Sequence, residues 1–151
     1  LRKGIIRGIN RNVRDMLHIP AAITGVRGIK HTAKKVRKWR DQVGERQAGL
    51  FLGQIVRMQE EIGTGGGGFR FIYAAFLEDA AEILGNDQLI GISEQMTKAG
   101  DLWRDSALQM AGIYKGRITA QKDFDHAADI MIEIANAEKK AFQDLGKLKL
   151  K

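Results

Sequence analysis

The sequence predicts an all-α fold, a compact bundle of five to six helices with no sheet. Apolar residues recur every three or four positions almost throughout, whereas stretches that alternate with a period of two are hard to find. The only proline is Pro20. With 151 residues, 44% of them hydrophobic, the chain is long enough to bury its own core. We therefore expect a single helical domain over residues 1–151.

Six segments carry the helical pattern, at about residues 2–17, 26–43, 46–62, 69–84, 88–115 and 122–146. The first is expected to end before Pro20, because proline disfavours helical geometry in the residue that precedes it. The second has apolar residues on one face and basic residues on the other. In the third, Gly49 and Gly53 lie one turn apart, a spacing that lets a neighbouring helix approach closely.

The last three segments follow a run of glycines. Gly85 and the polar Asn86 or Asp87 are typical of a helix end followed by a new helix start. The fifth segment is long for one helix and is expected to bend at a glycine. The sixth ends at Gly146, and its acidic side predicts a basic neighbour across from it. That side consists of Asp125, Asp129 and Glu133.

Positive charge is concentrated in the first part of the chain. Residues 1–62 hold 14 Lys and Arg against 5 acids, and residues 63–151 hold 11 against 13. The basic face of the second helix is a candidate docking surface for an anionic partner, and it consists of Arg27, Lys30, Lys34 and Lys38. A solvated face, an acidic protein and an anionic membrane surface stay open, whereas nucleic acid is disfavoured because Trp39 lies on the apolar side.

The chain has no cysteine and no apolar run approaching about 18 residues, so we expect a protein of the cytoplasm that does not span a membrane. A cysteine nucleophile is excluded, and no serine comes with a recognisable base. Asp123 and His126 supply only half of one carboxylate-histidine metal motif. We expect no catalytic set, no metal and no cofactor.

Five glycines fall within residues 63–68 and match the dinucleotide-binding spacing G-x-G-x-x-G. That fingerprint requires a preceding strand, but the segment before it reads as a helix. A P-loop requires lysine after the last glycine, where this chain has Phe69 and Arg70. Two interpretations remain: a plain loop between helices, or flexible backbone amides that hold an anion together with Arg70 at a helix start.

The fourth segment adds an aromatic residue to this candidate site. Stepped at 100° per residue, Phe69, Ile72 and Tyr73 fall on one apolar face, whereas Phe71 falls on the side of the glutamates. An aromatic side chain on the polar side predicts contact with something other than the domain's own core. The candidate binding residues are Gly65, Gly66, Gly67, Gly68, Arg70 and Phe71.

The segment "GTGGGGFRFIYAAFLEDAAEIL", residues 63–84, resembles the helical C-terminal domain of butirosin biosynthesis protein H-like proteins. "MLHIP" at 16–20, "GIKHTAKKVRKW" at 28–39 and "LW" at 102–103 support the resemblance in order. It implies an uncharacterised accessory domain at the C-terminal end of a longer parent. In the family, the N-terminal half resembles a cysteine peptidase and carries the presumed nucleophile.

The resemblance leads to two functional expectations. In the first, the chain is a non-catalytic accessory domain that helps its catalytic domain to bind substrate or an acyl carrier protein. The glycine segment and Phe71 would face the catalytic domain or substrate, and the basic face would attract the acidic carrier protein. In the second, the chain is a free-standing helical interaction protein that forms a homodimer.

Overall fold

The computed structural model describes residues 1–151 and confirms the all-α fold. The chain forms six α-helices and no strands: α1 Arg2–Leu17, α2 Gly25–Val43, α3 Glu45–Val56, α4 Arg70–Leu84, α5 Gln88–Tyr114 and α6 Gln121–Lys147. A π-helical turn, Arg57–Glu61, continues α3, and a 3-10 turn, Gly67–Phe69, precedes α4. No helix is long and apolar enough to cross a membrane.

The two long helices, α5 and α6, pack against each other and organise the rest. One cluster of buried residues joins α2 and α3 to the C-terminal half of α5 and the N-terminal half of α6. A second cluster joins α1 and α4 to the opposite halves of the same two helices. The two clusters meet near Gly100 and Trp103 of α5 and Glu138 of α6, where the glycine-rich loop lies.

Two sequence predictions about helix contacts are confirmed. The backbone of α5 passes close to the third helix, since a Cβ placed on Gly49 would lie 3.6 Å from the carbonyl oxygen of Ile113. The acidic side of α6 faces α2, where Arg37 forms ion pairs with Asp125 and Asp129. By contrast, the expected bend does not interrupt α5, which is helical over its whole length.

The apolar face that the sequence predicts for α4 is buried except at the start of the helix: Leu77 and Leu84 are buried, and Tyr73 packs against the second cluster. Phe69 and Ile72 are exposed, and small residues such as Ala74 and Ala81 are buried together with Leu77. The physical reason is that Phe69 has a left-handed backbone, φ 70°, and is not part of the helix. The two alanines extend the buried face of α4 beyond the larger side chains from which it was predicted.

Candidate functional site

The glycine-rich loop, residues 63–69, is compact rather than flexible. Each of its five glycines has a positive φ, and Gly66, at φ 81° and ψ 161°, occupies a region open essentially to glycine alone. Three consecutive glycines, Gly66, Gly67 and Gly68, are buried. The glycines are therefore required by the shape of the backbone, which corrects the expectation of a mobile helix entrance.

Two amides of this loop donate to side chains of the same chain. The N–H of Gly66 donates to Oγ1 of Thr64 at 3.2 Å, and that of Gly67 donates to Oε1 of Glu60 at 3.1 Å. Thr64 in turn donates its hydroxyl to the backbone carbonyl of Gln59. A carboxylate of the chain itself thus occupies the place where the sequence suggested that an external anion would bind.

Arg70, at the start of α4, is held by a buried acid on α6. Its Nε and Nη2 donate to the two oxygens of Glu138 at 2.6 and 2.9 Å, and its Nη1 donates to the carbonyl of Gly68. The Glu138 side chain is fully buried, and Trp103 donates its indole N–H to it at 2.7 Å. The guanidinium also lies over the Trp103 ring, 5.2 Å from its centre.

This network joins the two halves of the core. Arg70 comes from the helix that packs on the second cluster, Trp103 belongs to the first, and Glu138 lies on α6 between them. A buried carboxylate is tolerated only when charges and hydrogen bonds compensate it, and here Arg70 and Trp103 do so. Arg70 is thus first of all a structural residue, a role that the sequence prediction did not give it.

Phe71 is half-buried and lies outside both core clusters, in contact with the loop and with α5. Its ring lies so close to Gly100 of α5 that a Cβ there would be 2.7 Å away, and a Cβ on Gly67 would be 2.9 Å away. On the other side, the guanidinium of Arg104 lies 5.8 Å from the ring centre. Two glycines thus form a slot for the ring, and Phe71 fixes the loop on α5.

The slot makes a prediction about two glycines of the same helix. Gly100→Ala is expected to lower the free energy of unfolding by about 1–3 kcal/mol, because the added methyl collides with the Phe71 ring. Gly91→Ala is the matched control, since nothing lies near its Cβ, and it should raise stability by about 0.5–1 kcal/mol. Chemical denaturation of both variants measures the difference. Equal changes in stability for the two variants would contradict the close packing of the Phe71 ring against Gly100.

Beside the loop lies an open cavity of about 410 Å³. It is bordered by the N-terminal half of α2, the end of α3 with its π-helical turn, and the residues Gly68, Phe69 and Arg70. Its rim is apolar and exposed: Ile23 is 73% exposed, Met58 65% and Phe69 55%. Clefts of this size with apolar walls and few polar groups are typical of ligand sites.

A second cavity of about 210 Å³ lies on the other side of Phe69 and Arg70 and reaches α1 and Tyr73. Burial raises the pKa of the Tyr73 hydroxyl, which has no hydrogen-bond partner in the chain. Tyr73 is therefore uncharged at neutral pH. Phe69, a non-glycine residue with a positive φ, forms the wall between the two cavities.

The basic face and the cavity lie on different sides of α2. None of Arg27, Lys30, Lys34 and Lys38 lines the cavity, and none forms an ion pair within the chain. Their neighbours Arg37 and Arg40 do pair, with acids of α6 and with Glu45. The structure thus brings Gly68 and Arg70 to the cavity, places Phe71 against Gly67 and Gly100, and leaves the four basic residues as a separate surface.

The site also contains residues that sequence reasoning missed, chiefly Gln59, Glu60, Trp103 and Glu138. One signal could have revealed Glu138, because it falls within the apolar stripe of α6, between Ala135 and Phe142. A lone acid at a core position requires a partner. Gln59 and Glu60 carry no such signal, since they lie in a polar stretch that only the loop covers.

Fold and site together define an all-α domain with a glycine-built loop, a buried arginine-glutamate pair beneath it and an apolar cavity beside it. Residues 1–145 match the model of a domain of unknown function, DUF4872. The chain therefore belongs to the DUF4872 family. No curated protein and no solved structure matches it.

Proposed function

We propose that the chain is a non-catalytic accessory domain, the C-terminal part of a cytoplasmic butirosin biosynthesis protein H-like protein. It helps the N-terminal catalytic domain to bind substrate or an acyl carrier protein. The resemblance of residues 63–84 supports this, as does the absence of any cysteine that could act as the nucleophile of such an enzyme. Family membership is compatible with the proposal and does not by itself assign the function.

The cavity with its exposed apolar rim is the observation that carries the proposal. Ile23, Met58 and Phe69 place apolar side chains in solvent around a concave site. Apolar groups exposed together at a cleft mark a binding surface. The cavity is the part of the domain best suited to receive a substrate group presented by the catalytic domain.

The basic face supplies a second, separate contact. Arg27, Lys30, Lys34 and Lys38 have no acidic partner in the chain, so their charge is available to an acidic surface. Because this face does not line the cavity, we assign it to the carrier protein and the cavity to the substrate. The proposal involves neither a membrane nor a nucleic acid.

The charge contact is tested with a matched pair of variants. Lys34→Glu should weaken binding of an acidic acyl carrier protein by about fivefold and reduce its dependence on salt, since one exposed pair contributes up to about 1 kcal/mol. Lys139→Glu, an exposed lysine of α6 without an ion pair, makes the same change of charge elsewhere. Isothermal titration calorimetry at two salt concentrations measures both. Equal weakening by the two variants would show that the basic face is not the docking surface.

A free-standing homodimer is the second candidate. It is favoured by apolar side chains exposed outside the cavity rim, chiefly Leu108 on α5 and Ile72 on α4. Burying either in a two-fold contact would remove apolar surface from water. Sedimentation velocity over a range of concentrations tests it. A monomer at the highest concentration would exclude the dimer.

A further inference from the structure

The polar groups that line the cavity differ in whether they have a free hydrogen-bond donor or acceptor for a ligand. Gln59 is only 6% exposed, and its Nε2 donates to the carbonyl of Trp103 at 2.8 Å and to Glu60 at 3.3 Å. Because both partners are acceptors, the orientation of the amide is fixed. Its Oε1 is buried and has no hydrogen-bond partner. An unpaired buried acceptor is costly, and a ligand that donates to it would remove that cost.

Most of the side-chain donors around the cavity are engaged in hydrogen bonds within the chain. All three guanidinium nitrogens of Arg70 donate, and Trp103 donates to Glu138. The hydroxyl of Thr64 donates to the Gln59 carbonyl, and that of Thr32 donates to Gly28 at 3.0 Å, which leaves the Thr32 oxygen free to accept. Two of the five N–H groups of Arg70 remain, on a guanidinium that Glu138 already pairs, whereas Oε1 of Gln59 and the hydroxyl oxygen of Thr32 are free acceptors.

Charge at the cavity is also balanced. Arg70 is the charged residue of the lining, and Glu138 neutralises it through two hydrogen bonds. An anionic ligand would have to compete with a fully buried carboxylate. The remaining wall is largely apolar, with Ile29, Ile55 and Met131 beside the rim residues. The chemistry of the wall thus favours a neutral molecule with an apolar body.

We infer that this cavity binds an uncharged, largely apolar small molecule whose hydroxyl or amide N–H donates a hydrogen bond to Oε1 of Gln59. The inference deepens the proposed function and rests on it in taking the cavity as the substrate site. The Oε1 atom is shielded from water, so the donor of the ligand has to displace side chains that cover it. Gln59 is then a specificity-determining residue that selects for a donor.

Three probes of similar length separate the possibilities. Octanol carries a hydroxyl donor, its isomer heptyl methyl ether carries an acceptor alone, and octanoate adds negative charge. Binding is followed by the fluorescence of Trp103, which lines the cavity, in a chain in which Trp39→Phe removes the other tryptophan. Octanol should bind about tenfold more tightly than the ether, because it satisfies one buried acceptor, and more tightly than octanoate.

Glutamine variants attribute that preference to one residue. Gln59→Met should abolish the preference for octanol over the ether. Gln95→Met is the matched control, since Gln95 also has a buried, unpartnered Oε1 but does not line this cavity, and it should keep the preference. If Gln59→Met does not fold, the side-chain amide protons of Gln59 in the chain with native Gln59 serve instead. They should shift in NMR spectra with octanol and not with the ether.

Several results would overturn the inference. These are equal binding of octanol and the ether, tighter binding of octanoate than of octanol, no binding of any probe, or an unchanged Gln59 amide. The outcome is separable from that of the proposed function. If the chain binds octanol but not acyl carrier protein, only the accessory role is contradicted. If it binds acyl carrier protein but shows no preference for octanol, only the proposed ligand class is contradicted.

Discussion

Replacing Arg70 with methionine is expected to lower the free energy of unfolding by about 3–5 kcal/mol, because it leaves the carboxylate of Glu138 buried without a counter-charge. The Glu138 side chain is fully buried, whereas that of Arg70 is 23% exposed. The loss of stability should thus come mainly from the unpaired, buried carboxylate of Glu138 and not from the removal of contacts of Arg70. Guanidinium denaturation followed by circular dichroism measures it.

Two further variants test this interpretation. Arg37→Met removes an arginine whose pairs with Asp125 and Asp129 are exposed, so it should cost less than about 1 kcal/mol. Adding Glu138→Gln to Arg70→Met removes the stranded charge but keeps an acceptor for Trp103, and it should recover most of the lost stability. If Arg70→Met costs no more than Arg37→Met, the pair does not join the two halves of the core.

Gly67→Ala is expected to have the second largest effect. A left-handed backbone, φ 58°, costs a non-glycine residue about 1–3 kcal/mol, and the added methyl would lie 2.9 Å from the Phe71 ring and 3.2 Å from the carbonyl of Gly100. Overpacking of this kind adds about 1–3 kcal/mol. The loop should loosen, and thermal unfolding should begin at a lower temperature.

A glycine of α1 provides the control. Nothing lies near the Cβ position of Gly8, and its backbone is helical, so Gly8→Ala should raise stability by about 0.5–1 kcal/mol. If Gly67→Ala is as well tolerated as Gly8→Ala, the glycine-rich loop is the flexible entrance that the sequence suggested and not a fixed element.

Much of the fold could be predicted because each helix buries one apolar face, and the spacing of the apolar residues on that face is visible in the local sequence. The six segments were found within a few residues, and the contact between α2 and the acidic side of α6 followed from like charges at spacing four. The π-helical turn Arg57–Glu61 was missed, since its residues are ordinary helix formers. Its geometry depends on the loop that packs over it, which local propensity does not encode.

The candidate site was predicted less well, because it is made of contacts between residues far apart in the chain. The glycine run identified the loop, but its shape depends on Gly100 of α5, and Arg70 meets Glu138 across 68 positions. A helix projection placed Phe71 on the side of the glutamates, and it could not show that Gly67 and Gly100 form a slot for the ring on that side. Such pairings require the tertiary structure.

The most direct test of binding at the cavity and the basic face is an NMR titration of the isotope-labelled chain with acyl carrier protein. Pantetheine, which carries hydroxyl and amide donors but no phosphate, serves as the second ligand. We expect the amide signals of the cavity mouth, residues 63–73, to shift with both ligands, and those of the basic face, residues 27–38, to shift with the carrier protein. If the signals of both segments stay unmoved through saturating concentrations, the domain does not bind substrate or carrier protein there.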